Sequence, residues 1–380
     1  MDIIYHFFIF FEAKKFKIIN RKENRTIKKK IKMEQVKKKS PFFDQKSWKT
    51  FFLSIVEKVQ NFFKPVNKDI IQLKVDYGMM PTSDNSYIRY AKYYYPIKNY
   101  HKGTILTLTG RREFIEEYKE VNLDFLNRSY KIFSFDWRGQ GGSKRILSDS
   151  EKGHIDDYST YIKDLTQFIN QIVLPDLEGP LYIFAHSMGG NIALRYVLEQ
   201  LITPVKGIIL SAPMVDIRTA PYHPKVARAL SKAMMLTGYK EKYIFGDKLN
   251  DPEFEPFEEN PFTHDADQFS KRRKIQMKHD QYLVRGYTFG WLEATFKSIA
   301  ALHKLLENKK IDMPMLLLSP ENDPVIKNEA YKDILKTFTN GQIKIYPHTR
   351  HCLLDESAET RKNIWADIDA FLHIVNPIKN

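Results

Sequence analysis

Cysteines and long apolar runs are scarce in this sequence. Its 380 residues contain one cysteine, Cys352, so an intrachain disulfide is excluded. This agrees with a protein that resides in a reducing compartment. The apolar run at the amino terminus, residues 3–11, is too short for a membrane-spanning helix, which needs ~20 residues. The glycine-rich stretch 139–142 lacks a dinucleotide-binding spacing, because Lys144 stands where the third glycine belongs. We therefore predict a structural turn there and no nucleotide site.

Positive charge is concentrated near the amino terminus. The net charge is +14, but residues 1–40 hold 13 Lys or Arg against four acidic residues, and the other 340 residues carry only +5. Because no basic stripe runs through the body of the chain, we expect no nucleic-acid partner.

Lysines follow the apolar run at residues 3–11 instead of preceding it, which is the reverse of a secretory signal. Either Met33 is the true start, which we favour, or the start is Met1 and the run is a functional anchor.

A second apolar pattern covers residues 48–63. Aromatic and aliphatic residues recur there at helical spacing with lysines between them, and Pro65 ends the pattern. Such a helix can lie on a membrane surface or pack against the body of the protein, and both interpretations stay open. We expect residues 1–65 to be a basic, partly disordered leader of a cytoplasmic protein. Peripheral contact with the inner membrane face is a separate hypothesis, and the oligomeric state is not predicted.

From residue 70 onward, short apolar runs typical of strands alternate with helical patterns. The predicted strands are 70–77, 87–95, 104–109, 131–136, 181–185, 207–211, 315–319 and 342–346. The predicted helices are 114–128, 158–172, 191–201, 331–337 and 358–373. This alternation is typical of an α/β fold, in which helices cover both faces of a mostly parallel sheet. The first two strands are expected to add an antiparallel hairpin.

One segment breaks the alternation. Residues 213–300 lie between two predicted strands and are too long for a plain connection. We therefore expect an inserted helical cap at 213–300, and a core formed by residues 66–212 and 301–380.

The segment around Ser187 has the pattern of a nucleophile turn. Ala185-His186-Ser187-Met188-Gly189 follows a predicted strand and precedes a predicted helix, as the Gly-x-Ser-x-Gly signature requires. So tight a turn needs small residues two places before and after the serine, and Ala185 and Gly189 supply them. We predict Ser187 as a nucleophile, and the alternative is an ordinary turn into a helix.

A serine hydroxyl needs a base to accept its proton, and the base needs an orienting carboxylate. In this type of fold the chain order is serine, acid, histidine. Glu321 and Asp323 both follow the seventh predicted strand, and both qualify as the acid. His351 and His348 follow the eighth strand, and we favour His351 as the base. The two histidines have no evident third partner for a metal site.

The tetrahedral intermediate of acyl transfer needs two backbone N–H donors. We expect one from Met188, directly after the serine, and the other from Arg111 in the loop after strand 104–109. No metal or organic cofactor is implied by any of these residues.

With these residues in place, the chain resembles the lysophospholipase L2 and monoacylglycerol lipase branch of the α/β-hydrolases over roughly residues 70–375. The resemblance rests on the segments Gly110–Phe114, Asp136–Gly141 with Ser143, His186–Gly190, Ser211–Met214, Asn260–Thr263, Gly286–Leu292, Glu321–Val325 and Arg350-His351. The serine motif is shared across the superfamily, whereas Gly-Arg-x-Glu and Gly-Tyr-Thr-Phe-Gly-Trp are more selective. Two departures are Ala185 in place of glycine and Cys352 where relatives often carry glutamate.

The resemblance implies the α/β-hydrolase fold, with an eight-stranded sheet and a helical lid at the insertion. It also implies Asp323 as the acid, and hydrolysis of the single acyl ester of a lysophospholipid or monoacylglycerol. The cap residues expected to hold an acyl chain, unless they pack the lid core, are Met234, Met235, Tyr287, Phe289 and Trp291.

Two further functions stay open at this stage. The first is a small-molecule carboxylesterase or a prolyl-aminopeptidase-like peptidase, which keeps the catalytic residues and changes the substrate. The second is a lipid- or partner-binding scaffold without turnover. The complete set of Ser187, Asp323 and His351 argues against the scaffold, because binding alone needs no such set.

Overall fold

The computed structural model describes residues 73–97, 101–200, 202–245 and 256–376. The expected leader, with its helix at 48–63, lies outside these described residues. The strands are β1 (Lys74–Pro81), β2 (Tyr87–Tyr94), β3 (Gly103–Leu108), β4 (Tyr130–Phe135), β5 (Lys152–Gly153), β6 (Leu181–His186), β7 (Val205–Ser211), β8 (Gly286–Tyr287), β9 (Met315–Pro320) and β10 (Gly341–Tyr346). The α-helices are α1 (Lys119–Asn127), α2 (Ser159–Phe168), α3 (Met188–Glu199), α4 (Pro224–Leu236), α5 (Ala266–Lys278), α6 (Phe289–Asn308), α7 (Tyr331–Thr337) and α8 (Ala358–Val375).

The main sheet has eight strands in the order β1-β2-β4-β3-β6-β7-β9-β10. The pairs β1–β2 and β2–β4 are antiparallel, and the other neighbouring strands are parallel. The mostly parallel eight-stranded sheet and the opening hairpin are therefore confirmed. Every residue of β3, β4, β6 and β9 is buried, as expected of strands that helices cover on both faces.

The helices form a layer on each face of the sheet. Buried residues of α2, α3, α6 and α7 belong to the core on one face, and those of α1 and α8 belong to the core on the other. In such a sheet the parallel strands end at one common edge, where the loops that carry chemistry lie. Among the described residues, no helix has the length and hydropathy needed to cross a bilayer.

The expected insertion begins after β7 and contains α4, α5 and β8. The short strand β8 pairs in parallel with β5, which joins the insertion to the loop after β4. Helix α6 continues through residue 300, the expected end of the insertion, to Asn308. It continues because Leu302 and Leu306 are buried in the same core as α3 and α7, so the helix serves both the insertion and the sheet.

The glycine-rich segment after β4 forms a turn around the buried carboxylate of Asp136. That carboxylate accepts hydrogen bonds from the backbone N–H groups of Ile115 at 2.9 Å and Gly142 at 2.7 Å, and from Arg89 Nη1 at 2.9 Å. Gly141 has a φ of +52°, and a Cβ there would lie 2.2 Å from Asp136 Cγ. The glycine is needed because the chain wraps this tightly around the acid.

Candidate active site

Ser187 occupies a strained turn between β6 and α3. Its φ of +50° and ψ of −115° are rarely adopted by residues other than glycine. The chain around it is closely packed, since a Cβ at Gly189 would lie 2.6 Å from the carbonyl oxygen of Thr109. The helix α3 begins directly after Ser187, so its positive end favours negative charge at the serine.

Ser187, His351 and Asp323 are brought together in one hydrogen-bonded series. Ser187 Oγ lies 2.9 Å from His351 Nε2, and His351 Nδ1 lies 2.7 Å from Asp323 Oδ2. All three residues are buried. Because a carboxylate only accepts hydrogen bonds, Nδ1 carries the proton and Nε2 is left to accept the serine proton.

The carboxylate of Asp323 is held in its ionised form. Burial on its own raises the pKa of Asp323, but the hydrogen bond and charge of His351 lower it. Two backbone N–H groups add to this effect, since Oδ1 accepts from Val325 at 2.8 Å and Ile326 at 3.1 Å. Together these contacts hold the pKa of Asp323 below its ordinary value.

The competing residues lie away from this series. Glu321 is exposed, and it is Asp323 that contacts His351. His348 is also exposed and sits in the turn after β10 with a φ of +52°. The order of residues along the chain does not distinguish Asp323 from Glu321 or His351 from His348. Burial does, because Asp323 and His351 are buried and the other two are exposed.

The two residues expected to supply N–H donors are Met188 and Arg111. Met188 is the first residue of α3, and the N–H groups of a first helical turn have no acceptor within the helix. Arg111 lies in the loop after β3 and lines the same cavity as Ser187. Buried Glu113 holds that loop, because its carboxylate accepts hydrogen bonds from the Gly110 N–H and, at 2.7 Å, from the Tyr118 hydroxyl.

The sequence analysis missed the cation that binds Glu113. Arg272 of α5 donates from Nη2 to Glu113 at 2.5 Å, and it also contacts Glu117 and Asp355 at 2.7 Å each. Glu113 and Glu117 follow β3, and Asp355 follows β10, so this arginine ties a helix of the insertion to the loops of the core. Motif patterns give no signal for Arg272, because its helix is polar along most of its length.

The charges of this cluster follow from burial and from Arg272. Burial raises the pKa of Glu113, but the nearby His186 and Arg272 lower it to about 2. Burial also lowers the pKa of His186 to about 4, so that ring is neutral at ~pH 7 and Arg272 is the cation that keeps Glu113 ionised there. For Glu117, burial dominates and raises the pKa to about 7.

Glu113, His186 and Cys352 have side-chain types that bind metal ions, and their donor atoms lie within 4.8 Å of one another. Arg272 donates to Glu113 and, at 3.4 Å, to Cys352 Sγ, so a fixed positive charge already contacts two of the three residues. The arrangement therefore suits an internal hydrogen-bond network better than a cation. Burial raises the pKa of the Cys352 thiol, which makes it a poor nucleophile.

Ser187 lines a cleft. Its apolar lining includes Phe262, Phe269 and Val325, and its basic lining consists of Arg111, Arg112, Arg272 and Arg273. The segment Asn260–Thr263 belonged to the family resemblance, and it brings Phe262 to this cleft.

Tyr287, Phe289 and Trp291 do not line the cleft beside Ser187, so their place agrees with the alternative expectation, packing within the lid core, and their contact with an acyl chain stays a prediction. They are buried at the start of α6, where the Tyr287 and Trp291 rings lie 4.2 Å apart. Tyr287 and Trp291 belong to the hydrophobic core that also contains buried residues of α3 and α7. The remaining two expected residues are half-buried on α4 and do not line the cleft either: Met234 and Met235.

We predict that Arg272→Met lowers the free energy of unfolding by ~3–5 kcal/mol, because the buried Glu113 and Glu117 and the half-buried Asp355 lose their cation. In the wild type, pairing depresses the pKa of Glu113, so its stabilisation is complete above the ordinary carboxyl pKa and disappears as the pH falls towards about 2. In the variant the unpaired carboxylates protonate more readily. The destabilisation is therefore expected to be larger at about pH 8 than at about pH 5.

Urea unfolding of both proteins at the two pH values measures this difference. Lys271→Met is the matched control, because Lys271 is the neighbouring cation on α5 and pairs with Glu120 at the exposed surface. Such a pair contributes ~0–1 kcal/mol. Equal losses in the two variants, or no dependence on pH, would contradict the central place given to Arg272.

Comparison with known proteins finds similar hydrolases. The family model Hydrolase_4, described as serine aminopeptidase, S33, matches residues 99–358. The probable lysophospholipase L2 of Haemophilus influenzae is 27% identical over 270 residues, which cover 71% of this chain and 83% of that protein. A monoglyceride lipase homolog of Monkeypox virus is 26% identical over 292 residues, covering 76% of this chain and 95% of that protein.

Among solved structures, a soluble variant of monoglyceride lipase from Saccharomyces cerevisiae in complex with a substrate analog resembles this chain with a TM-score of 0.62. It is 18% identical, and the match covers 82% of this chain and 99% of that one. A carboxyl esterase from Bacillus coagulans in complex with glycerol has a TM-score of 0.61 at 17% identity, covering 80% and 99%. At these identities the likeness establishes the fold alone.

Proposed function

The chain belongs to the Hydrolase_4 family, described as serine aminopeptidase, S33, and from this premise we propose that it hydrolyses the acyl ester of a lysophospholipid or monoacylglycerol. The observation that carries the proposal is the buried series Ser187–His351–Asp323 at the wall of the cleft. The relatives named above, a lysophospholipase and a monoglyceride lipase homolog, support the same substrate class.

In the first half of the reaction, Ser187 Oγ attacks the acyl carbonyl carbon while His351 Nε2 takes the hydroxyl proton. Asp323 holds the imidazole in the required tautomer and stabilises its positive charge. The carbonyl oxygen becomes an oxyanion, and the N–H groups of Met188 and Arg111 are the proposed donors to it. His351 then gives its proton to the leaving alcohol, and an acyl group remains on Ser187.

In the second half, water attacks the acyl-serine and His351 accepts one of its protons. The intermediate collapses, the serine regains its proton from His351, and the fatty acid leaves and loses its remaining carboxyl proton to solvent. No cofactor takes part in these steps, since the side chains and backbone donors account for each proton and charge.

The cleft favours an ester over a peptide with a free amino terminus. An aminopeptidase has to bind the ammonium group of its substrate, for which carboxylates are suited. The acidic residues of the lining, Glu113 and Asp355, both bond to Arg272, and the other charged lining residues are arginines. Both carboxylates are therefore engaged by Arg272, whereas Phe262 and Phe269 offer apolar contact to an acyl chain.

Contact of residues 48–63 with a membrane surface, in a cytoplasmic protein, remains a separate proposal. It draws on the aromatic and basic pattern of that segment and on the lipid nature of the proposed substrate.

We predict that Asp323→Asn lowers kcat by about 10⁴, because an amide favours the wrong histidine tautomer. Glu321→Gln is the matched control, since it makes the same change two residues away on an exposed side chain and should keep kcat within about twofold. Release of oleate from monooleoylglycerol measures both variants. A larger loss in Glu321→Gln would reassign the acid.

Substrate class is tested with a panel of esters and amides. We expect release of long-chain fatty acid from lysophosphatidylcholine or monooleoylglycerol, with higher kcat/KM than for acetyl or butyryl esters, because the apolar lining rewards a longer chain. Hydrolysis of short esters alone would indicate a small-molecule carboxylesterase. Hydrolysis of prolyl-naphthylamide, with no lipid cleavage, would indicate the peptidase.

A further inference from the structure

We propose that Arg272 is a positioning residue for acyl transfer: it occupies the carboxylate of Glu113, and so prevents the neighbouring His186 ring from gaining a proton beside His351. The inference rests on the proposed function, because the charge next to His351 matters to catalysis only if His351 is the base. It gives the ion cluster around Arg272 a role in the reaction besides its role in stability.

The first observation is that the ring of His186 lies against the proposed base. The centres of the His186 and His351 rings are 4.8 Å apart, and both residues are buried. His351 becomes an imidazolium when it takes the serine proton. A second positive charge at this distance would oppose that step, because little water screens two buried charges. The reaction therefore requires a neutral His186.

The second observation concerns the nitrogen of His186 that would take an extra proton. Nδ1 lies 3.1 Å from the carbonyl oxygen of Ser211, which only accepts hydrogen bonds, so Nδ1 carries the proton of the neutral ring. Nε2 faces two groups at 3.8 Å, the thiol of Cys352 and Oε1 of Glu113. Burial raises the pKa of the Cys352 thiol and keeps it neutral. Glu113 is therefore the counter-charge that a proton on Nε2 would need.

The third observation is that Arg272 holds the same oxygen of Glu113. Its Nη2 donates to Oε1 at 2.5 Å, whereas His186 Nε2 lies 3.8 Å from that atom. The other oxygen, Oε2, accepts from the Gly110 N–H and the Tyr118 hydroxyl. Arg272 and His186 thus compete for one carboxylate oxygen, and the permanently charged guanidinium occupies it.

The charges around His186 act in opposite directions. Glu113 and Asp323 favour a proton on the ring, whereas His351 and Arg272 oppose it. Asp323 contacts His351 Nδ1 at 2.7 Å, so its nearest partner is that ring. Burial is the largest effect, and together these groups lower the pKa of His186 to about 4. Loss of Arg272 would remove one opposing charge and release Glu113, which is a favouring one.

Without Arg272, Glu113 and His186 form a buried pair that can share one proton. The Gly110 and Tyr118 donors still favour the carboxylate form of Glu113, so the proton goes to His186 Nε2. This protonation increases as the pH falls, and the loss of catalysis therefore grows towards acid pH. The loss of stability has the opposite dependence, because unpaired buried carboxylates are most costly at high pH.

The kinetic test measures kcat/KM for monooleoylglycerol in the wild type and in Arg272→Met between about pH 6 and about pH 9. The ratio of the two values removes the pH dependence that both proteins owe to the base. We expect the ratio of variant to wild type to fall by about tenfold towards pH 6, as one added charge beside an imidazolium implies. A role in stability alone predicts the reverse, with the larger loss near pH 9.

Three further variants test the competition for Glu113. Glu113→Gln combined with Arg272→Met keeps an acceptor for the Gly110 N–H but removes the charge that draws a proton to His186, so its ratio to the wild type should be independent of pH. Arg272→Lys keeps the cation and should keep the wild-type dependence on pH. Lys271→Met is the matched control, since it removes the neighbouring cation of α5 from an exposed pair with Glu120. It should also leave that dependence unchanged.

A second measurement follows the charge of His186 without turnover. Histidine rings labelled with ¹³C at Cε1 are titrated by NMR, and the His186 signal is the one that disappears in His186→Gln. In the wild type this signal should not titrate above about pH 5.5, because the pKa of His186 is about 4. In Arg272→Met it should titrate close to neutral pH, and the added Glu113→Gln change should abolish this.

A His186 signal that titrates near pH 7 in the wild type would overturn the proposal, and this measurement is decisive even if Arg272→Met does not fold. A folded Arg272→Met whose kcat/KM falls most near pH 9, or whose His186 signal does not titrate, would overturn it as well. Circular dichroism of each variant reports folding. Failure of the proposed function is distinguishable, because the wild type would then cleave no acyl ester at any pH.

Discussion

The backbone at Ser187 has to leave a buried strand and enter a helix within one residue, and the site is organised around that turn. The positive φ of Ser187 lifts its hydroxyl to the end of the sheet, and the contact of Gly189 with the Thr109 carbonyl permits no side chain there. The strain of this turn is held by parallel strands that are buried along their whole length.

The cluster around Arg272 joins this turn to the insertion. One arginine of α5 bonds to carboxylates on both sides of the cleft, and one of these, Glu113, in turn holds the Gly110 N–H. The loop expected to stabilise the oxyanion and the helix that lines the substrate cleft therefore share one buried ion pair. If α5 moves, Glu113 and the loop that it holds are expected to move with it, because separating a buried carboxylate from its cation is costly.

Much of this architecture could be predicted from the sequence. The spacing of apolar residues within a short segment distinguishes a strand from a helix. The eight strands of the main sheet and their order along the chain could therefore be predicted from that spacing. The turn at Ser187 was equally local. Long-range packing decided the rest: burial separates Asp323 from Glu321, and Arg272 meets its partners only after folding. The aromatic residues Tyr287 and Trp291 suggested a pocket, but aromatic composition does not distinguish a pocket wall from a core.

The central claim is that Ser187 is a nucleophile activated by His351, and covalent labelling tests it most directly. A fluorophosphonate reacts with such a serine, and intact-mass analysis with peptide mapping locates the adduct. The account predicts one adduct on Ser187 in the wild type and none in Ser187→Ala, whose circular dichroism should match that of the wild type. A folded wild type that is not labelled, or a Ser187→Ala variant that is labelled to the same extent, would contradict it.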